Sequence, residues 1–241
     1  MTLSVALLAL AGVLVSAGGS ASAMEFATPK GADGRRIVVA RGPIVEGDAE
    51  RLRVALLSAD RDSFGHKTLV LDSVGGVVGE AFAMVAFMDR DQVATEVRSG
   101  ASCASACAQI IFLAGRHRIV HDGGRLGLHS CREAAQDGKR DGNKDGVQAL
   151  LCNDLIARHA VAHGTIYGPI MAFMQMTGPA QVKWLDSEDA DCWGLTRWPP
   201  GIARGVKDGE LPSCLLKGPA AKAPADGTKR NARDQPPGTI R

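Results

Sequence analysis

The sequence predicts an α/β fold with a mostly parallel sheet, and three observations support that prediction. Stretches that favour strands alternate with helical stretches of about 10 to 15 residues, which is the order found in βαβ units. The run at 67–73, KTLVLDS, is typical of an apolar strand that is buried on both faces of a parallel sheet. The chain has 241 residues and is 45% hydrophobic, which suffices for one globular core but is short for two large domains.

The first half of the chain supplies most of the alternating elements. Residues 24–36 are expected to form an unstructured lead-in before a domain that spans 37–216. Strands are predicted at the β-branched or apolar runs 36–42, 67–73, 93–98 and 116–121. Helices are predicted near Asp48, after Gly76 and over 103–114.

The second half of the chain is less regular. The segment 132–146 is polar and rich in glycine, which indicates a loop, and a helix is expected from Val147 to about His163. The run GPIMAFMQMTG predicts a further short helix. The run VKWLDSEDADCWGLTRW predicts a strand, a helical turn and a closing strand or loop.

Both ends of the chain differ in composition from the predicted domain. Residues 1–23 are apolar and then small, so we expect a secretory signal peptide that is cut after Ala23. An uncleaved interfacial anchor is the alternative, because no Lys or Arg precedes the apolar run. Residues 217–241 are basic and rich in Pro, Ala and Gly, which predicts a disordered tail. The mature protein is therefore expected to be periplasmic or secreted, with no membrane span.

Six cysteines follow the predicted signal peptide. An even number in an exported chain favours disulfides over a zinc site. Our expectation is the two pairs Cys131–Cys152 and Cys192–Cys214. Each bond would tie a loop to a neighbouring element. Cys103 and Cys107 either face each other or are small buried hydrophobic residues.

The charge pattern argues against nucleic acid as a partner. The formal net charge is +2, and both signs are interspersed along the chain, so there is no basic footprint. No cofactor and no metal site are expected. His159 and His163 have the spacing of two metal ligands on a helix but lack the adjacent Glu of zinc proteases, and we interpret His117 and His121 as structural.

Four segments in this order resemble the Clp-protease proteolytic subunit and its exported relatives. They cover about residues 37 to 130 and read RGPIVEGDAERLRVALL, LVLDSVGGVVGEAFAMVAFM, GASCASACAQIIFLAG and RLGLH. In that family a strand ending in Ser-Pro-Gly-Gly is followed by a helix, then by a helix-borne serine, and then by a histidine at a spacing like that of Ser105 and His129. The resemblance implies a Clp-protease/crotonase-like superhelix of ββα units.

The resemblance also implies roles for residues of this chain. Ser105 would be the nucleophile and His129 the general base that removes its proton. The main-chain amides of Gly76 and Ala106 would form the oxyanion hole. Ser102 and Cys103 are rival nucleophiles beside Ser105.

The resemblance is incomplete at the third catalytic position. The family's orienting aspartate aligns with Val182 here. We expect Asp186 to take its place, with Asp189, Asp154 or a backbone carbonyl as alternatives. The substitution by valine also allows an inactive descendant of the family.

The same residues have an interpretation without chemistry. Gly75 and Gly76 would then form an ordinary strand-to-helix turn, and Ser105 would be a buried hydroxyl bonded back to the preceding helical turn. His129 would be a hydrogen-bonded residue at the edge of the sheet.

The sequence thus predicts an exported serine peptidase, or peptidase-like protein, that acts on short or unfolded chains through Ser105 and His129. Self-association is expected from the resemblance alone. An ATP-dependent unfoldase partner is not expected, because the periplasm has no ATP. The alternative from another class is a catalytically inactive binding or scaffold protein. Acyl-CoA chemistry on the same fold is disfavoured by export away from the CoA pool.

Overall fold

The computed structural model of the chain describes residues 23–131, 142–177 and 180–200. Within these ranges the protein is an α/β structure with two sheets. The strands are β1 (Glu25–Ala27), β2 (Val38–Arg41), β3 (Lys67–Asp72), β4 (Val93–Val97), β5 (Ser102–Ala104), β6 (Arg118–Val120), β7 (Arg125–Leu128) and β8 (Lys183–Leu185). The helices are α1 (Asp48–Leu57), α2 (Val78–Asp91), α3 (Gly142–Ala162), α4 (Tyr167–Met176) and α5 (Ser187–Cys192). A π-helical turn (Cys107–Ile111) and a 3₁₀ turn (Phe112–Ala114) lie between β5 and β6.

The larger sheet is mixed and has the strand order β1-β2-β3-β4-β6. Strand β1 runs antiparallel to β2, whereas the other neighbouring strands are parallel. The central strand β3 is buried along most of its length, and its middle residues, 69–71, are apolar. The predicted α/β class is confirmed. The superhelical arrangement of the Clp-protease fold stays a prediction.

The π-helical turn lies in the core of the protein. It contacts α2 and α3, and α1 packs against α2. Ile110, Ile111 and Phe112 are fully buried. The serine that precedes this turn is therefore attached to a segment that is fixed by packing on several sides.

The smaller sheet joins the end of β3 to the serine segment. Its order is β5-β7-β8, with β5 parallel and β8 antiparallel to β7. An isolated bridge links Ser73, just after β3, with Cys103 in β5. Ser73 donates to the carbonyl of Ser102 at 2.7 Å and accepts from the amide of Ala104 at 2.9 Å. These bonds place the glycine turn after β3 next to Ser105.

Three predictions of local structure are wrong. The lead-in is not unstructured: β1 pairs with β2, and Met24 is buried in the core with only 2% of its surface exposed. The predicted helix 103–114 begins as a strand, because Cys103 and Ala104 pair with β7. Helix α3 starts at Gly142, within the predicted loop 132–146. Residues 132–141 of that loop lie outside the described residues.

The disulfides agree in part with the predicted pairs. Cys131 is bonded to Cys152, as predicted, and Cys103 is bonded to Cys107. Cys192 is also in a disulfide, and its predicted partner, Cys214, lies outside the described residues. Disulfides are typical of proteins that fold in an oxidising compartment.

Nearly all of the predicted terminal segments lie outside the described residues. Of the signal peptide only Ala23 lies within the described residues, and the tail at 217–241 lies outside them. Among the residues that the structure describes, no helix combines the length and the apolar composition that a membrane span requires.

Candidate active site

Ser105 occupies a tight turn between β5 and the π-helical turn. Its φ of +56° is in the left-handed region, which few residues other than glycine adopt. Its amide donates to the carbonyl of Gly127 in β7 at 2.9 Å, and its carbonyl accepts from the amide of Gln109 at 2.9 Å. The Cys103–Cys107 disulfide spans the turn from two residues before the serine to two residues after it. The backbone is therefore held in this conformation from both sides.

The glycine turn after β3 approaches the serine turn closely. A Cβ at Gly75 would lie 2.6 Å from the carbonyl oxygen of Ala104 and 2.7 Å from the Cβ of Ser105. A Cβ at Gly76 would lie 2.1 Å from the carbonyl oxygen of Ile44. Neither position has room for a side chain, so the pair is more than an ordinary strand-to-helix turn.

Two main-chain amides near Ser105 have no acceptor among the described residues. The bonds that tie the glycine turn to Ile44 use the carbonyl of Gly75 and the amide of Val77. The carbonyl of Gly75 and the amide of Gly76 belong to one trans peptide group and point in opposite directions, so the amide of Gly76 points away from Ile44. In the described parts of the chain no hydrogen bond from the amide of Gly76 or Ala106 is found. Such free donors are the requirement for binding an oxyanion.

His129 follows β7 directly, and its imidazole is oriented by a backbone carbonyl. Nδ1 lies 2.6 Å from the carbonyl oxygen of Ser130. A carbonyl only accepts hydrogen bonds, so Nδ1 carries the proton and Nε2 is left as a proton acceptor. This is the tautomer that a general base needs.

Gln109 holds the backbone of His129 against the serine segment. Its Nε2 donates to the carbonyl of His129 at 2.9 Å, and its Oε1 lies 3.5 Å from the amide of His129. Gln109 is only 2% exposed. Sequence reasoning missed this residue. The signal was present, since Gln109 is the one polar side chain in the apolar run after Ser105, and it stands four residues from that serine.

The π-helical turn after Ser105 is supported by His159 of α3. Nε2 of His159 lies 2.9 Å from the carbonyl oxygen of Ile110. Burial lowers the pKa of His159, so the neutral imidazole donates to this carbonyl. His159 therefore has a structural role. π-Helical turns are rare and occur frequently at functional sites.

A cavity of about 350 Å³ brings the predicted residues together. Ser105, His129, Gly76 and Ala106 all line it. Other residues that line it are Val74, Val78, Ala104, Gln109, Cys131, Cys152, Ile156, Ala180 and Val182. None of the described residues that line this cavity carries a formal charge. Ser105 is half-buried, and no hydrogen bond of its hydroxyl is found among the described residues, so it is not bonded back to a helical turn.

The residues considered for the third catalytic position lie in different places. Val182 lines the cavity. Asp186 is the N-cap of α5, where its carboxylate accepts the amide of Asp189 at 2.9 Å. Asp154 binds Arg158 and Tyr167 on an exposed face of α3. The orienting contact that the structure gives to His129 Nδ1 is the carbonyl of Ser130.

The rival nucleophiles lack the surroundings of Ser105. Cys103 is in a disulfide, so it offers no thiolate. Ser102 is in β5, and its amide binds the carboxylate of Asp72 at 3.1 Å. Neither residue is among those that line the cavity.

Comparison with known proteins leaves the assignment to geometry and chemistry. No protein-family model matches this chain, and no curated protein matches its sequence.

Proposed function

We propose that this protein is an exported serine hydrolase of the peptidase type, with Ser105 as nucleophile and His129 as general base. The observation that carries the proposal is that Ser105, His129, Gly76 and Ala106 line one cavity. Nucleophile, base and oxyanion donors are the parts that acyl transfer requires.

The reaction follows from these positions. Ser105 Oγ attacks the carbonyl carbon of the substrate while His129 Nε2 takes its proton. The amides of Gly76 and Ala106 stabilise the negative charge that develops on the carbonyl oxygen. His129 then gives the proton to the leaving amine, and an acyl-enzyme remains. A water molecule, activated by the same imidazole, releases the acid and restores Ser105.

The carbonyl of Ser130 performs the orienting role that an aspartate has in a triad. It fixes the tautomer of His129 through Nδ1. A carbonyl carries no full negative charge and therefore stabilises the imidazolium less than a carboxylate does. We expect a Ser–His dyad whose turnover is slow compared with that of a triad enzyme.

The wall of the cavity favours an apolar acyl side chain. Val74, Val78, Ile156 and Val182 line it, and no charged side chain is among the described residues that do so. A charged substrate side chain would lose its hydration there without a partner. We propose that short or unfolded peptides with an apolar residue before the cleaved bond are the substrates.

The resemblance to the Clp-protease subunit supports the wider setting. The proposal includes a Clp-protease/crotonase-like superhelix, a location in the periplasm or outside the cell, and assembly of several copies. The disulfides favour an oxidising compartment.

The alternative is an inactive relative that binds peptides without cutting them. The observation that favours it is the absence, among the described contacts, of a hydrogen bond between the Ser105 hydroxyl and the His129 ring, together with Val182 at the position of the family's aspartate. Catalytic hydrogen bonds are often long in unliganded enzymes and tighten when substrate binds. The missing Ser105–His129 bond therefore does not exclude the hydrolase, which we favour.

A fluorophosphonate probe separates the two functions. The probe phosphonylates an activated serine, so the wild-type protein with intact disulfides is expected to be labelled and Ser105→Ala is not. Ser102→Ala is the matched control, because it removes a neighbouring hydroxyl outside the cavity and should leave labelling unchanged. Absence of labelling in the folded wild-type protein would contradict the hydrolase and favour the binding protein.

A further inference from the structure

A second group of chemically active side chains lies at the amino-terminal ends of the parallel strands of the larger sheet. Ser105 and the glycine turn lie beyond the carboxyl end of β3, whereas His66 and His117 come directly before β3 and β6. One ligand atom from each of Asp62, His66 and His117 lies within 4.8 Å of the other two. Two imidazoles and a carboxylate are the donors that borderline divalent metals such as Zn²⁺ prefer.

We propose that Asp62, His66 and His117 bind a Zn²⁺-type cation. This inference is independent of the hydrolase proposal. The three side chains would supply three ligands and leave at least one position for water. In tetrahedral coordination the ligand atoms are about 3.4 Å apart, so the side chains need to close slightly around the ion.

The backbone already holds two of the ligands in position. The turn at 62–66 is closed by a hydrogen bond from the amide of Asp62 to the carbonyl of His66 at 2.8 Å. Oδ1 of Asp62 accepts the amides of Phe64 and His66 at 2.9 and 2.8 Å. One carboxylate oxygen thus fixes the turn, and the other is free of these bonds.

The third ligand comes from a distant part of the chain that is equally fixed. The carbonyl of His117 accepts the amide of Thr95 in β4 at 2.9 Å. The rings of His66 and His117 are in edge contact, with centroids 4.6 Å apart. A bound ion would therefore join the turn before β3 to the start of β6.

One ring nitrogen of His66 is left unsatisfied by the described residues. Its Nδ1 is buried and has no hydrogen-bond partner among the described residues. A buried polar atom without a hydrogen-bond partner is unfavourable. Closure of this cluster on a metal ion would give the imidazole a partner. The positive charge of Arg197 acts against a cation here, and the carboxylate of Asp62 offsets it.

Calorimetric titration with Zn²⁺ tests the site. The protein should carry no histidine tag, because a tag would bind the metal. The buffer should contain no thiol reductant, which would bind the metal and reduce the disulfides. We expect one Zn²⁺ per chain, a rise in Tm on saturation, and Co²⁺ absorption bands of a four-coordinate site. His66→Ala and His117→Ala should each weaken binding by more than about tenfold.

Two further variants keep the test decisive if an alanine variant does not fold. Asp62→Asn retains the oxygen that accepts the two turn amides but lacks the negative charge, so it should fold and bind Zn²⁺ at least about tenfold more weakly. His121→Ala removes a histidine at the other end of β6, where it faces Glu96, and should bind like the wild type. Absence of saturable binding, or equal affinity in the wild type, Asp62→Asn and His117→Ala, would overturn the proposal.

Discussion

Two residues other than glycine have a left-handed backbone in the described structure, and they differ in what holds them. Gln92, with φ of +54°, ends helix α2, and Ser105, with φ of +56°, lies between β5 and the π-helical turn. At Gln92 the conformation is the ordinary end of a helix: its amide bonds to the carbonyls of the last turn, and its side chain donates to the carbonyl of Asp89 at 2.7 Å.

At Ser105 no helix end explains the conformation. Instead a disulfide, the carbonyl of Gly127 and the glycine turn at Gly75 surround it. A strained residue persists only where its surroundings determine it, and such residues concentrate at functional sites. The backbone of Gln92 is stabilised by the helix that it ends. The backbone of Ser105 is held by contacts from other parts of the fold.

Gly75→Ala should have the largest effect. The new methyl group would overlap the carbonyl of Ala104 and the Cβ of Ser105, and the residue has a φ of +89°. Strain and overpacking together should lower the free energy of unfolding by about 4 kcal/mol and abolish fluorophosphonate labelling. Urea denaturation and labelling rates measure the two effects.

Gly100→Ala is the matched control for this prediction. Its φ of +78° is similar, but no atom lies within 4 Å of the added Cβ. The expected cost is about 1 kcal/mol, from backbone strain alone, with labelling unchanged. Equal effects of the two substitutions would show that the glycine turn does not support Ser105.

The two described disulfides should separate stability from activity. Cys131–Cys152 closes the longer loop, so Cys131→Ala/Cys152→Ala should lower stability by about 3 kcal/mol, against about 2 kcal/mol for Cys103→Ala/Cys107→Ala. The shorter loop contains Ser105. Removal of Cys103–Cys107 should therefore reduce the labelling rate more than removal of Cys131–Cys152 does, although it costs less stability. A larger loss of labelling in the Cys131/Cys152 variant would contradict the role of the short disulfide.

The difference between Gln92 and Ser105 also shows what the sequence could predict. Hydrophobic periodicity predicts α2, and the order of motifs predicts that Ser105, His129 and Gly76 meet, because each is tied to a recognisable local pattern. The turn at Ser105 was predicted as helix. Its backbone is decided by the pairing of Cys103 and Ala104 with β7, a contact between segments far apart in sequence. The contacts of Met24, Gln109 and Ser130 escaped prediction for the same reason.

Gln109→Leu should have an intermediate effect. The substitution keeps the size of the side chain but leaves the carbonyl of His129 without its donor, so stability should fall by about 2 kcal/mol. Because His129 is then free to shift, the labelling rate should fall about tenfold.

Thr95→Val is the matched control, because it removes another buried hydrogen bond that does not involve His129. Thr95 Oγ1 donates to the carbonyl of Phe112 at 2.8 Å, and Phe112 directly follows the π-helical turn that contains Gln109. It should cost similar stability and leave labelling nearly unchanged. Equal labelling in both variants would count against a positioning role for Gln109.

Replacement of Ser105 and Gln92 by glycine should give the smallest changes in stability, and it compares the two residues directly. Glycine adopts a positive φ without a Cβ penalty, so Ser105→Gly should be more stable than Ser105→Ala by about 1 kcal/mol, and Gln92→Gly more stable than Gln92→Ala by a similar amount. Labelling should vanish in both Ser105 variants and persist in both Gln92 variants. A Ser105→Gly variant that is more stable than Ser105→Ala is the result expected if the backbone of the serine turn is strained. If Ser105→Gly is no more stable than Ser105→Ala, the turn carries no strain, and its left-handed backbone is no argument for catalysis.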